Sequence, residues 1–252
     1  MSLQPTRFGG GPAGAWDAAP DLIAAAHGTA DPRGIRTVHA LVREMARQRP
    51  EIPISLGFVD VDEPALPGLV DRVVADSNQA VVVPLLLSSG YHVAVDILGQ
   101  AARHSQVTAA AALGPHPVLA DILADRLGDL SAIDHVVLAA AGSSNHRALL
   151  DCSATAALLA ERIDRPVEVG YVSGAGERLA SVLARTPTRT AVATYLLAPG
   201  AFADHIRRLC RNHPVTTPLG PDPRLAALAL THYDTALRAH TGSPNGSLRL
   251  AD

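Results

Sequence analysis

The chain has 252 residues, 48% of them hydrophobic, which is enough for one large or two ordinary domains with buried cores. A formal net charge of −3 gives no basis for nucleic-acid binding, which needs clustered positive charge. The two cysteines, Cys152 and Cys210, form no CxxC pair, which argues against a disulfide framework, a thiolate zinc site or an iron–sulfur cluster. No apolar run is long enough to span a bilayer and no segment is typical of a secretory signal, so we expect a cytoplasmic protein with no membrane partner.

Short apolar runs alternate with amphipathic stretches along the chain. Residues 1–20 are rich in Gly, Pro and Ala and predict a flexible tail. The apolar run at 22–26 predicts a strand, and the helical spacing of apolar residues over 34–49 predicts a helix. The same alternation continues through further apolar runs at 54–59, 80–87 and 107–113, with helices around 66–73, after Gly90 and near 117–127. This pattern predicts parallel strands joined by crossover helices, an α/β fold.

The second half of the chain repeats the first. Four segments match in the same order at offsets near 110 residues: LIAAAHGTADPR (22–33) with VVLAAAGSSNHR (136–147), GFVD (57–60) with GYVS (170–173), PLLLSSGYH (84–92) with TYLLAPGAF (194–202), and LGPHP (113–117) with LGPDP (219–223). A duplication explains this order. We therefore predict two similar doubly wound parallel-sheet domains with a cleft between them, at 21–130 and 131–240, followed by a disordered tail at 241–252.

Three groups that can handle metal ions or protons occur in the first copy alone. His27 is matched by Ala141, Asp60 by Ser173, and His92 by Phe202. All three groups follow predicted strands, and parallel sheets bind ligands outside the carboxyl ends of their strands. Two imidazoles and a carboxylate suit a borderline divalent ion and can also accept protons near neutral pH. The comparison of the two halves thus predicts a single site, carried by the first half.

These residues resemble the motifs of the sirohydrochlorin chelatases of the CbiX/SirB type, in their long duplicated form. The matching features are His27-Gly28, the acidic residue of Phe58-Val59-Asp60 where the family normally has Glu, and the P-x-x-L-x-x-G-x-H segment at 84–92 with Asp96 four positions on. The resemblance covers roughly residues 21–240. It implies a lyase that inserts Fe²⁺, or next Co²⁺, into sirohydrochlorin for sirohaem or cobalamin synthesis. The divalent metal is then a substrate, and no organic cofactor is implied.

The resemblance also assigns residues. His27 and His92 correspond to the metal-binding and proton-accepting histidines of the family, with Asp60 as a third group for either task. The carboxylates of the tetrapyrrole need cationic or hydrogen-bonding partners, for which the predicted crevice offers Arg33, Ser88, Ser89, Gly90 and Tyr91. Further arginines near the crevice are Arg36, Arg103, Arg147 and Arg207. The oligomeric state is predicted to be a monomer or a homodimer, because one duplicated chain supplies both sides of the cleft.

Two other functions are compatible with parts of the pattern. A non-catalytic protein that binds or delivers metal or tetrapyrrole would use the same cleft, and Asp60 in place of Glu keeps this alternative open. A phosphohistidine-type hydrolase also has a histidine followed by glycine after its first strand. That class needs an arginine directly before the histidine, where this chain has Ala26.

Overall fold

Two mainly parallel sheets are formed by the residues that the computed structural model describes, which are 7–8, 19–76, 79–89, 97, 99 and 101–241. The helix predicted after Gly90 lies largely outside this set. Strands and helices follow in the order β1 (Arg7–Phe8), β2 (Asp21–Ala26), α1 (Pro32–Gln48), β3 (Ile54–Phe58), α2 (Leu66–Ala75), β4 (Ala80–Pro84), β5 (Val107–Ala109), α3 (Pro117–Leu127), β6 (His135–Ala140), α4 (His146–Ile163), β7 (Val167–Tyr171), α5 (Leu179–Arg185), β8 (Thr190–Tyr195), α6 (Ala201–Leu209) and α7 (Pro223–Thr241).

The strand order places the first strand of each half in the middle of its sheet. The first sheet has the order β1-β3-β2-β4-β5 and the second β7-β6-β8. All neighbouring pairs are parallel except β1, which pairs antiparallel with β3 through Arg7 and Ser55. The sequence predicts a tail over residues 1–20, whereas residues 7–8 extend the edge of the first sheet, where unpaired backbone groups are available. The predicted α/β class with two similar parallel sheets is confirmed.

The central strands are covered by helices on both faces. Every residue of β2 and of β6 is buried. After a first polar residue, Asp21 or His135, both strands are apolar, without the alternation of a half-exposed sheet. Helix α1 begins after Asp31, whose side chain accepts the Arg33 N–H at 2.8 Å. Asn145 caps α4 in the same way through the Arg147 N–H at 3.0 Å. The same cap in both halves starts each first crossover helix at the cleft.

The last helix of each half packs on the other half. Helix α3 lies against α4 and β8, while α7 lies against α1 and β4. Near its middle, α7 is tied to the start of the first sheet, because the Tyr233 hydroxyl donates to the Pro20 carbonyl at 2.6 Å. One hydrophobic cluster accordingly contains Leu22, Leu138 and Tyr233. The last helix of each sequence repeat therefore packs on the sheet of the other repeat. As a result, the two halves share a hydrophobic core. Within the described residues, no helix has the length and apolar character to cross a membrane.

Two partly buried histidines make folding sensitive to mild acid. Burial, and then the neighbouring His232, lower the pKa of His116 below its usual 6.5. Burial and then Arg43 lower the pKa of His39. The folded state thus binds these protons less tightly than the unfolded chain, so stability is greatest above about pH 6.5 and falls as the pH drops toward the folded-state pKa values.

We therefore expect the free energy of unfolding, measured in urea, to decrease between pH 7 and pH 5. His116 also caps α3, because its Nδ1 accepts the Val118 N–H at 3.2 Å, and a protonated ring loses this acceptor. A His116→Asn variant keeps a capping oxygen and has no proton to gain. Its free energy of unfolding should decrease less than that of the wild type between pH 7 and pH 5. An equal decrease would contradict the role of His116 in this pH dependence. Paired carboxylates such as Asp31, with a pKa lowered to about 2 by Arg33, act at more acidic pH.

Candidate active site between the two halves

A cavity of about 680 Å³ lies between the halves, at the carboxyl ends of the strands of both sheets. Its size falls within the range of small-molecule sites, about 300–1,000 Å³. The first half contributes the segments after β2 and β4, and the second half contributes the segments after β6 and β8. Most of the wall is apolar, and no Lys, Arg, Asp or Glu occurs among the described residues that line it. The cavity thus suits a mainly apolar small molecule.

His27 stands on the first-half wall, directly after β2. Its side chain is exposed, and its carbonyl accepts the Asp60 N–H at 2.9 Å. Among the described lining residues, His27 is the only imidazole. The matching residue on the opposite wall is Ala141, whose carbonyl accepts the Ser173 N–H at 2.8 Å. The backbone is therefore repeated in both halves, whereas the imidazole is present in one.

Gly28 brings the end of β2 against the loop after β3. Its φ is +101°, and a Cβ atom added there would lie 1.8 Å from the Asp60 carbonyl oxygen. Gly142 repeats the arrangement, with a φ of +93° and a Cβ position 1.9 Å from the Ser173 carbonyl oxygen. Because no side chain fits either place, the glycine after His27 has a backbone role. The position of His27 depends on it.

The backbone of Asp60 contacts the His27 carbonyl and Gly28, whereas the role predicted for its carboxylate stays a prediction. Its side chain is exposed, accepts the N–H of the next residue, Val61, at 2.8 Å, and does not line the cavity. A second carboxylate, Asp62, accepts the Thr29 N–H at 2.7 Å and so contacts the loop that carries His27. The sequence interpretation missed Asp62, although the comparison of the halves contains the signal, since Ala175 is its match. Among the described residues, no three His, Cys, Asp or Glu side chains are grouped as metal ligands.

The remaining predicted site residues have different positions. His92, Gly90 and Tyr91 lie outside the described residues. Ser88 lines the cavity, while the backbone of Ser89 is bonded to the second half.

Arg33 does not line the cavity; its guanidinium bridges Asp31 at 2.6 Å and Asp204 at 2.5 Å. These carboxylates raise the pKa of the already cationic Arg33 further. Its side chain is 46% exposed, so the pairs contribute little stability. Arg33 is thus engaged with the second half at one side of the cleft.

The second-half wall has groups that stay protonated at neutral pH. Burial raises the pKa of the Cys152 thiol to about 11 and that of the Tyr171 hydroxyl to about 12. Burial also raises the pKa of Tyr195. These three side chains line the cavity in neutral form, and the two hydroxyls donate to backbone carbonyls, that of Tyr171 to Leu149 at 3.3 Å and that of Tyr195 to Leu87 at 2.7 Å. The geometry defines a class of protein with two α/β halves around one cleft and an imidazole on one wall.

The chain belongs to the CbiX family, since the model of that family matches residues 21–130 and again 135–236. The resemblance to the sirohydrochlorin chelatases and the duplication are thereby confirmed. A search of curated proteins finds no match to the chain. Among solved structures, the fold is similar to SirB from Bacillus subtilis with Fe3+, with a TM-score of 0.74 and 20% identity over 88% of this chain and 97% of that one.

Two further structures show the same fold. SirB from Bacillus subtilis subspecies spizizenii, described as a sirohydrochlorin chelatase in complex with cobalt, has a TM-score of 0.74 and 20% identity, again over 88% of this chain and 97% of that one. CbiX, described as the terminal enzyme of sirohaem biosynthesis in denitrifying bacteria, has a TM-score of 0.65 and 19% identity over 86% of this chain and 99% of that one. At these identities, the likeness shows the fold alone.

Proposed function

We propose that the protein inserts a divalent metal, Fe²⁺ or Co²⁺, into sirohydrochlorin. The observation that carries this proposal is the cavity of about 680 Å³ between two CbiX-type halves, with His27 on one wall and apolar surface on the other. The two SirB structures named above are described with iron and with cobalt, which supports the choice of metals. The metal is a substrate in this reaction.

Metal insertion requires a partly dehydrated ion, a macrocycle held beside it, and removal of the pyrrole N–H protons. In the proposal, His27 and His92 share these two tasks, because the one free lone pair of a neutral imidazole either binds the ion or accepts a pyrrole proton. Asp60 is the weakest of the three candidates, because its carboxylate is bonded to the adjacent backbone. If Asp60 takes part, its side chain must turn away from the Val61 N–H.

The apolar walls suit the ring of the substrate, whereas its carboxylates need partners at the rim. Ser88 and the Thr29 hydroxyl line the cavity and can donate hydrogen bonds. Arg33 stands at one side of the cleft, and a substrate carboxylate would compete there with Asp204 for the guanidinium. Ser89, Gly90 and Tyr91 remain candidates from the sequence. We therefore place the ring inside the cavity and the acidic side chains at its opening.

The proposal is tested by mixing the purified protein with sirohydrochlorin and Fe²⁺ or Co²⁺ under anaerobic conditions while following the absorbance change of metalation. The expected result is an initial rate proportional to enzyme concentration and well above the rate without protein. No acceleration with either metal would sink the proposal. Tight binding of one equivalent without turnover would instead support the delivery protein, the alternative that uses the same cleft.

A further inference from the structure

The segment that follows β4 changes its hydrogen-bond partners from one half to the other. Up to Leu86 the bonds stay within the first half, since the Leu85 N–H donates to Ala25 at 2.8 Å and the Leu86 carbonyl accepts from Leu113 at 2.8 Å. The next three residues, Leu87–Ser89, are held by the second half. The Tyr195 hydroxyl donates to the Leu87 carbonyl at 2.7 Å, the Asp151 carboxylate accepts the Ser89 N–H at 2.7 Å, and the Asn145 amide donates to the Ser89 carbonyl at 3.1 Å.

The bond from Tyr195 is made in a fixed and enclosed geometry. Tyr195 is 3% exposed, and its oxygen lies 3.1 Å from the hydroxyl of the fully buried Thr155, whose single proton is shared with the Asp151 carbonyl at 3.0 Å. The Leu87 carbonyl can only accept a hydrogen bond. This leaves the tyrosine proton directed to Leu87. A Cβ atom on Gly114 would lie 2.2 Å from the Leu87 oxygen and 2.5 Å from the Tyr195 oxygen, so only glycine leaves room for the contact.

The duplication provides an internal control, because the equivalent contacts are absent on the other side of the described cleft. The carbonyl that corresponds to Leu87 is that of Leu197, and it accepts from Gly220 of its own half at 2.9 Å. All four residues of the contact are replaced at the matching positions: Tyr195 by Leu85, Ser89 by Pro199, Asp151 by Thr37 and Asn145 by Asp31. Pro199 has no N–H to donate, and Leu85 has no hydroxyl. The contact is therefore specific to the segment whose sequence continues to His92.

We propose that Asn145, Asp151 and Tyr195 are positioning residues, a clamp by which the second half fixes the Leu87–Ser89 wall of the cavity for metal insertion. The inference rests on the proposed function and gives the second half a task beyond enclosing the substrate. Leu87 and Ser88 line the cavity that His27 lines, so a shift of this segment changes the distance across the site. A misplacement of about 1 Å can lower a rate about a hundredfold.

The test compares Tyr195→Phe, Asp151→Ala and Asp151→Asn with the wild type in the full chain. Steady-state insertion of Co²⁺ into sirohydrochlorin gives kcat and KM, and hydrogen exchange followed by mass spectrometry reports the amides of residues 85–89. We expect Tyr195→Phe and Asp151→Ala to lower kcat about tenfold and change KM less than about twofold. Both should also speed exchange in this segment. Asp151→Asn should recover both properties, because an amide oxygen still accepts the Ser89 N–H.

Glu161→Ala is the control, since Glu161 is exposed on the same helix, α4, and does not line the cavity. It should leave kcat and exchange unchanged. Unchanged kcat in Tyr195→Phe and Asp151→Ala, or an Asp151→Asn variant as impaired as Asp151→Ala, would overturn the clamp. A wild-type protein without turnover overturns the proposed function instead. In that case the exchange data alone decide whether these side chains hold the segment.

Discussion

A His27→Ala variant is expected to lower kcat for metal insertion by about a hundredfold or more, the usual contribution of a group that accepts a proton in the transition state. His27 is the one imidazole among the described residues that line the cavity, and Ala141 on the opposite wall cannot replace it. The side chain is exposed and has no hydrogen bond to the described residues that would be lost, so the fold should be retained. The measurement is the initial rate of metalation at saturating sirohydrochlorin, with a thermal melt to verify folding.

The comparison variant is Phe202→Ala on the opposite wall, at the position that matches His92. Phe202 is 44% exposed in the cavity, so removing its ring takes away contact area for the macrocycle. We expect KM for sirohydrochlorin to rise about tenfold with kcat changed only a few-fold. His240→Ala, at the exposed end of α7, should change neither constant. Equal losses of kcat in His27→Ala and Phe202→Ala would argue against a site confined to the first-half wall.

The alternation of strands and helices could be predicted from the sequence because each element has its own hydrophobic period. The packing of α3 on the second half and of α7 on the first half could not be predicted in this way. An amphipathic helix specifies an apolar face, but either sheet offers an apolar surface to cover it. The choice depends on the course of the chain after β5 and β8 and on contacts such as Tyr233 with Pro20, which join residues far apart in sequence. The pairing of Arg7 with Ser55 likewise joins residues that are far apart in sequence.

The site was predictable where the chemistry of a residue type and its place after a strand agree. His27 and Ser88 line the cavity for this reason. Asp60 follows a strand as well, yet its carboxylate bonds to the next N–H, because a one-methylene side chain readily captures the adjacent backbone. Asp62 contacts the His27 loop instead. The side-chain direction depends on local turn geometry, which residue spacing alone does not specify.

The duplication explains why the two halves can differ in function while keeping the same backbone. The strand ends, the helix caps, the glycines and several apolar residues of the cavity wall recur in both, whereas His27 and Tyr195 do not. The first half carries His27, and the second half supplies Tyr195, Asp151 and Asn145 to hold the wall of the first. In the proposed reaction, one copy provides the reacting group and the other its support, so the two halves are expected to depend on each other.

The recurring glycines lead to the largest expected effect on stability. In Gly28→Ala and Gly142→Ala, the added methyl would meet a carbonyl oxygen at 1.8 Å and 1.9 Å, and both residues have positive φ values. We expect each substitution to lower the free energy of unfolding by about 3 kcal/mol or more, combining backbone strain with displacement of the β3 or β7 loop. Chemical denaturation of each variant measures this loss.

Gly128→Ala separates the effect of backbone strain from the effect of displacing a neighbouring loop. Its φ is also positive, at +66°, with ψ −134°, but no atom lies within 4 Å of the added Cβ, so backbone strain of about 1–3 kcal/mol is expected alone. A Gly28→Ala variant as mild as Gly128→Ala would show that the two strand ends can separate freely. Because Gly28 follows His27, its substitution should also reduce metal insertion in the protein that remains folded, whereas Gly142→Ala leaves the imidazole in place. If Gly28→Ala and Gly142→Ala lose similar stability but differ in kcat, the backbone role is shared by both halves and the chemical role belongs to the first half.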